Sequence, residues 1–294
     1  RGRPLPEGGS DAVAALRGFM RSRAEGSVVL SAGMNRRLFS AMGEVAELMP
    51  ARAEGLRKRV VLKVSDYRSA LLQGKLLARL GVHVAEFRVE SGLNCGGHAF
   101  GGKGQLLGPI LEEFRRERES LGRTLHGIRR KALQAVGRED VDEAPLPARV
   151  TVQGGLGAAH EDQLLREHYQ VDGTGWGTAF LFVPEVVQID PGSLRRLVTA
   201  GEDDIELSGA SPLGVPFWSL RTSDSEELRR QRVADGRPGS PCPKGYLVSS
   251  TEFTAQPICT ASRAYQRRKL QDLAGSDLTA PEQARAREAV TRKA

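Results

Sequence analysis

The sequence predicts an α/β fold built on a parallel sheet with crossover helices. Two observations carry this. Short apolar runs of strand length alternate with longer segments whose apolar residues recur every three or four positions. Glycines also follow directly on several of the runs, where a parallel strand has to turn into its helix.

Taken in order, residues 1–10 are rich in Pro and Gly and read as a loose lead-in. A helix is expected over 11–23, because Asp11 can cap it and Val13, Leu16 and Met20 recur at helical spacing. The apolar run 27–35 ends in small residues and reads as a buried strand, with a helix over 37–48 behind it. Residues 59–66 repeat the strand. Residues 69–80 repeat the helix, with Leu72, Leu76 and Leu80 on one face and Gly81 as its stop. A third strand is expected at 83–89, then a Gly-rich loop over 91–104. Helix follows from 106 to 121 and on to about 135. Residues 137–147 are acidic and contain Pro, as a loop does. The strand 149–153, the helix 159–168 and a last strand entered through Val171–Gly175 complete five strand–helix units. Beyond Glu185 the rhythm fails, and residues 190–260 are rich in Pro, Gly, Ser and Thr. Helices remain expected at 223–233 and 261–273, with a weaker one at 280–290. The domain reading is therefore 1–189 as the strand–helix domain and 190–294 as an irregular, partly helical extension.

Composition narrows the function classes. The 294 residues carry 43 Lys and Arg against 36 Asp and Glu, a net charge of +7. Thirty-nine per cent of the chain is hydrophobic, enough for a core, so a wholly disordered chain is excluded. No run approaches the ~18 apolar residues of a membrane helix. The first residues have no apolar stretch behind them and do not read as a signal peptide. Three cysteines do not make a disulfide scaffold, and a reducing cytoplasm is the expected compartment. The positive charge does not read as a nucleic-acid footprint. Lys occupies only eight positions, the Arg-rich stretch 115–119 interleaves acids at helix spacing, and aromatics are 5% of the chain.

The residues that suggest chemistry lie where strands end. Gly154, Gly155 and Gly157 follow one strand and precede a helix. About twenty residues on, Gly173, Gly175, Gly177 and Thr178 repeat the arrangement. Glycine lets backbone N–H groups approach an anion, and a helix start adds its positive end, so this pair of loops points to phosphate. A second constellation runs from Glu90 through Cys95, Gly96, Gly97 and His98 to Lys103 and Gly104. His98 sits among glycines that cannot shield it, and a neutral imidazole can take a proton from a carbon acid. His126, His160 and His168 read as surface residues, while His83 opens a strand and is expected to face the sheet. Cys95, Cys242 and Cys259 match no standard ligand spacing and read as unliganded thiols, with a zinc or iron–sulfur site as the alternative.

In order and spacing, residues 27–185 resemble the FMN-dependent nitronate monooxygenases (2-nitropropane dioxygenases). The likeness rests on Gly81-Val-His-Val-Ala-Glu-Phe-Arg-Val-Glu-Ser-Gly with the later Gly96-Gly97-His98, on Val150-Thr-Val-Gln-Gly-Gly-Leu, on Val171-Asp-Gly-Thr-Gly-Trp-Gly-Thr-Ala-Phe-Leu, and on Val64-Ser65 with Ala70. The resemblance implies a (β/α)8 TIM barrel of which this chain holds about strands four to eight. The first strands would then be supplied by an upstream segment or a partner chain. It implies FMN as cofactor, held by Gly154, Gly155, Gly177 and Thr178 with Ser65 and Gly97. It implies His98 as the base that takes the α-proton of a nitroalkane, a small-molecule substrate. A reductase drawing on NAD(P)H through the same flavin, and a non-catalytic module binding a phosphate ligand or a partner protein, are the alternatives.

Overall fold

The computed structural model describes residues 9–31, 33–50, 56–90, 106–138, 141–177, 179–180, 183, 185–186, 188–214, 216–241 and 247–293. The chain divides into two compact units. Among the described residues the first holds 9–90 and 106–176, and the second holds 177–293.

The N-terminal unit is a five-stranded, all-parallel sheet. Its strands are β1 (Gly26–Leu30), β2 (Lys58–Val64), β3 (Val84–Val89), β4 (Arg149–Gln153) and β5 (Gly173–Gly175), in the order β1-β2-β3-β4-β5. Between and before them run α1 (Asp11–Arg21), α2 (Arg36–Met42), α3 (Tyr67–Arg79), α4 (Leu107–Ala135) and α5 (Ala159–Glu167). Each crossover steps in the same direction, and right-handed crossovers that all step one way lay their helices on one face of a sheet. That face is apolar. Val60, Leu62 and Val64 of β2, Phe87 and Val89 of β3, and Val150 and Val152 of β4 bury themselves with Ala70 and Leu77 of α3 and Leu111, Phe114 and Leu121 of α4.

Local signals place these helices. Ser10 caps α1, accepting from the Val13 N–H at 3.4 Å, and Val13, Leu16 and Met20 are its buried residues. Asp66 caps α3, accepting from the Ser69 N–H at 2.6 Å. Gly74 lets α3 and α4 approach closely, since a Cβ there would sit 2.9 Å from Leu125 Cδ1. The helix predicted in two parts over 106–135 is one helix of 29 residues, α4. Its charged side is tied by Glu112–Arg115 at 2.8 Å and Glu119–Arg123 at 3.3 Å.

The barrel expected from the resemblance is not what the chain forms. Among the described residues β1 pairs only with β2 and β5 only with β4, so the sheet is open at both edges. Closing a parallel barrel takes about eight tilted strands in register. The strands that follow β5 do not extend the series. β6 (Ile205–Ser208) and β7 (Phe217–Leu220) pair antiparallel with each other, Leu207 opposite Trp218. The C-terminal part, read as irregular and partly helical, has helices near the three places expected and one more. Besides this small sheet it holds α6 (Pro191–Thr199), α7 (Asp224–Ala234), α8 (Arg263–Ala274) and α9 (Ala280–Thr291).

Polar groups do much of the holding in the C-terminal unit. Among its described residues the buried hydrophobics are Ala210, Ala261 and Leu273. Gln266, fully buried, donates from Nε2 to the Lys293 carbonyl at 2.8 Å. Lys293 Nζ donates to the Ser211 carbonyl at 2.9 Å, and Gln283 Nε2 to the Leu273 carbonyl at 2.7 Å. The last helix is thereby tied to α8.

Candidate functional site

All-parallel sheets usually read as continuous apolar runs because both faces are covered. This sheet does not. Opposite the helix-covered face, register brings Lys63 of β2 beside Arg88 of β3, Arg88 beside Thr151 of β4, and Glu86 beside Arg149. The result is a polar face with two carboxylates, each surrounded by donors. Glu86 accepts from Arg88 Nε at 2.9 Å and from the Thr151 hydroxyl at 2.6 Å, with Arg149 at 3.9 Å. Glu90, just past β3, pairs with Lys63 Nζ at 2.7 Å and accepts from Gln153 Nε2 at 2.9 Å. Lys63, Glu90 and Gln153 therefore form a row across three strands at the carboxyl edge of the sheet. The carboxyl edge is where open α/β sheets bind ligands. Glu86 and Thr151 are themselves buried, at 8% and 7% exposure, so the charges on this face are compensated within the sheet.

The glycine loops meet the same edge. Gly154 and Gly155 follow β4 with φ of +78° and +73°, left-handed values that favour glycine. The Gly154 N–H donates to the Gly175 carbonyl at 3.0 Å. The loop then turns into α5, and the N–H groups of Gly157 and Ala158 converge on one acceptor, Glu161 Oε2, at 2.7 and 2.9 Å. These two bonds hold the Glu161 carboxyl below the usual range. Its neighbour Asp162 is held low by the Thr174 hydroxyl of β5 and by Arg166. In β5 the glycines serve packing. A Cβ at Gly175 would sit 3.1 Å from Gln153 Cβ, and one at Gly173 would sit 3.1 Å from Arg149 Nη2.

Of the residues singled out in the sequence, Gly154, Gly155 and Ser65 lie at the carboxyl edge of the N-terminal sheet. Ser65 is 6% exposed and donates to Asp66 Oδ2 at 3.3 Å, so its hydroxyl is committed. Gly177 begins the C-terminal unit. His98, Gly97, Thr178, Cys95, Cys242 and Lys103 lie outside the described residues. Cys259 is a free thiol, and among the described residues no three His, Cys, Asp or Glu side chains gather as a metal site. One surface assignment is corrected: His126 is buried at 9% exposure, on the wall of a cavity that α4 shares with the segment around Leu146. The Lys63–Glu90–Gln153 row was missed, although its signal stands in the sequence. Lys63, Glu86, Arg88, Glu90, Thr151 and Gln153 put polar groups at every second position of otherwise buried strands.

No described helix is long and apolar enough to cross a membrane. Compared with protein-family models, with curated proteins and with solved structures, the chain matches none.

Proposed function

We propose that the chain is a flavin-dependent oxidoreductase. Its N-terminal unit would bind the phosphate of FMN at the β4–α5 loop and a small substrate along the carboxyl edge of the sheet. The observation that carries this is the loop's donor set: two backbone N–H groups beyond a left-handed glycine pair converge on a carboxylate oxygen. Backbone N–H groups at a glycine turn and a helix start are the donors a phosphate takes. Glu161 now fills that role from within the chain, so the donor set fits an anion, and a phosphate binds by displacing a flexible side chain. Ser65, already committed to Asp66, takes no part.

FMN, when bound, supplies the electron chemistry that side chains lack. The chain's own contributions are binding, orientation and one proton. Lys63 and Gln153 offer donors and Glu90 an acceptor to the polar part of a bound molecule. His98 takes the α-proton of a nitroalkane. The reading includes a cytoplasmic location, the default for a chain with few cysteines.

The test is nitroethane oxidation by the purified full chain supplied with FMN, beside the His98→Ala variant. Turnover by the parent and loss of turnover in the variant, with flavin still bound, is the expected result. A protein that takes up no FMN, or a variant as active as the parent, refutes the reading.

A further inference from the structure

At the opposite, amino end of β3 and β4 lies a cavity of about 580 Å3 between α3, α4 and the segment 145–148. That volume is in the range of small-molecule sites, roughly 300–1,000 Å3. Ala78, Val82, Phe87, Leu121, Leu125 and Leu146 make most of its wall apolar. Six polar side chains interrupt the wall: Arg118, Glu119 and Arg123 of α4 on one part of it, and His83, His126 and Arg129 on another.

Arg129 is 3% exposed. It donates from Nη1 to the Pro50 carbonyl, while its Nη2 meets no acceptor among the described residues. A guanidinium is almost never this deeply buried unless it is paired. The other two arginines at the cavity are committed, Arg118 to Asp172 at 2.6 Å and Arg123 to Glu119 at 3.3 Å. Asp142 faces Arg129 with opposite charge, whereas Arg138 faces it with like charge and Arg130 adds positive charge near His126. Among the described residues neither ring nitrogen of His126 makes a hydrogen bond of good geometry, although the backbone of Glu143 and Asp142 lies beside the ring. Burial first, then the Arg129 charge, keeps both imidazoles below their ordinary value, His83 at about 4. Among the described residues the cavity at neutral pH therefore holds one guanidinium with a spare donor, beside neutral histidine rings and an apolar wall.

We propose that this cavity binds a small organic acid with one negative charge, its carboxylate engaged by Arg129 and its apolar body held by the wall of α3, α4 and β3. A single carboxylate matches the single spare guanidinium and accepts from the planar fork that Arg presents. A cation is disfavoured by the same charges. The site stands apart from the carboxyl edge, so it holds or fails independently of the flavin reading.

The test is calorimetric titration of the full chain with octanoate as probe and 1-octanol as its uncharged counterpart. Two variants accompany it. Arg129→Met keeps the apolar volume and removes the charge. Gly122→Leu fills the cavity from α4, where an added Cβ meets nothing within 4 Å, so this variant keeps the helix intact. A hydrogen bond to a charged group is worth about 1.5–3 kcal/mol, so octanoate should bind at least about tenfold tighter than 1-octanol. Arg129→Met should remove that preference, and Gly122→Leu should weaken both ligands about tenfold or more. Absence of octanoate binding by the parent overturns the proposal. So does equal affinity for the two ligands, or octanoate binding unchanged in Gly122→Leu.

Discussion

The half-buried imidazole of His83 makes acid stability a sharp test of the packing around the start of β3. Desolvation is the main reason its pKa lies at about 4 instead of 6.5, and the Arg129 charge adds to it. The unfolded chain frees the ring, which then titrates near its ordinary value. Above pH 6.5 neither state holds the proton and the residue contributes no slope. As pH falls from 6.5 towards 4, the unfolded state takes up a proton that the folded state refuses, so stability is lost across that window. Below 4 both states are protonated and the loss is complete. At about 1.4 kcal/mol per pH unit, the full gap is worth about 3 kcal/mol, of which about 2 kcal/mol appears between pH 7 and pH 4.5. The assay is urea unfolding, followed by far-UV circular dichroism at those two pH values, for the parent and for His83→Gln. The carboxylates are common to both proteins and cancel in the comparison. The variant should lose about 2 kcal/mol less than the parent on acidification. Equal losses would contradict this account of the His83 environment, as would a proton NMR titration placing the ring near 6.5.

Two further substitutions test how the N-terminal unit is held. Lys58 is 9% exposed, and its Nζ donates to the carbonyls of Phe19, Met20 and Ser22 at the end of α1. Lys58→Met strands those carbonyls and should cost about 2–3 kcal/mol in urea unfolding, and a cost below 1 kcal/mol, roughly one neutral hydrogen bond, would contradict that. Gly81 has φ of +79°, and a Cβ there would sit 3.0 Å from Leu133 Cδ2 and 3.2 Å from Met49 Sδ. Gly81→Ala should lower the unfolding free energy by about 1–3 kcal/mol, and an unchanged urea midpoint would contradict it.

Much of the N-terminal sheet is legible in the sequence because its signals are local. The run 59–66 announces β2 (Lys58–Val64), and the run 83–89 announces β3, each within a residue or two. Asp66 and Gly81 bracket α3 where a cap and a stop belong. Closure of a sheet is not local: it depends on which strands lie beside β1 and β5, and no residue within either strand encodes that. The same blindness hid β6 and β7, each four residues long and set among Ser, Pro and Gly. α6 was legible and overlooked, since Asp190 and Pro191 are a cap followed by proline in the first turn. At the site, the glycines drew attention by composition. Two of them, Gly173 and Gly175, turn out to make room for Arg149 and Gln153. The row Lys63–Glu90–Gln153 is assembled from three distant segments and becomes a row only through strand register. His126 misled because its neighbours on α4 are charged, while its own side faces the cavity.

On the proposed reading the β4–α5 loop is an anion site for which Glu161 and a phosphate compete. Quenching of FMN fluorescence by the parent protein and by Glu161→Ala measures it directly. Saturable binding of one FMN per chain, about tenfold tighter in the variant because the Gly157 and Ala158 N–H groups are freed, is the predicted result. FMN that binds neither protein, or binds the variant no tighter than the parent, would contradict it.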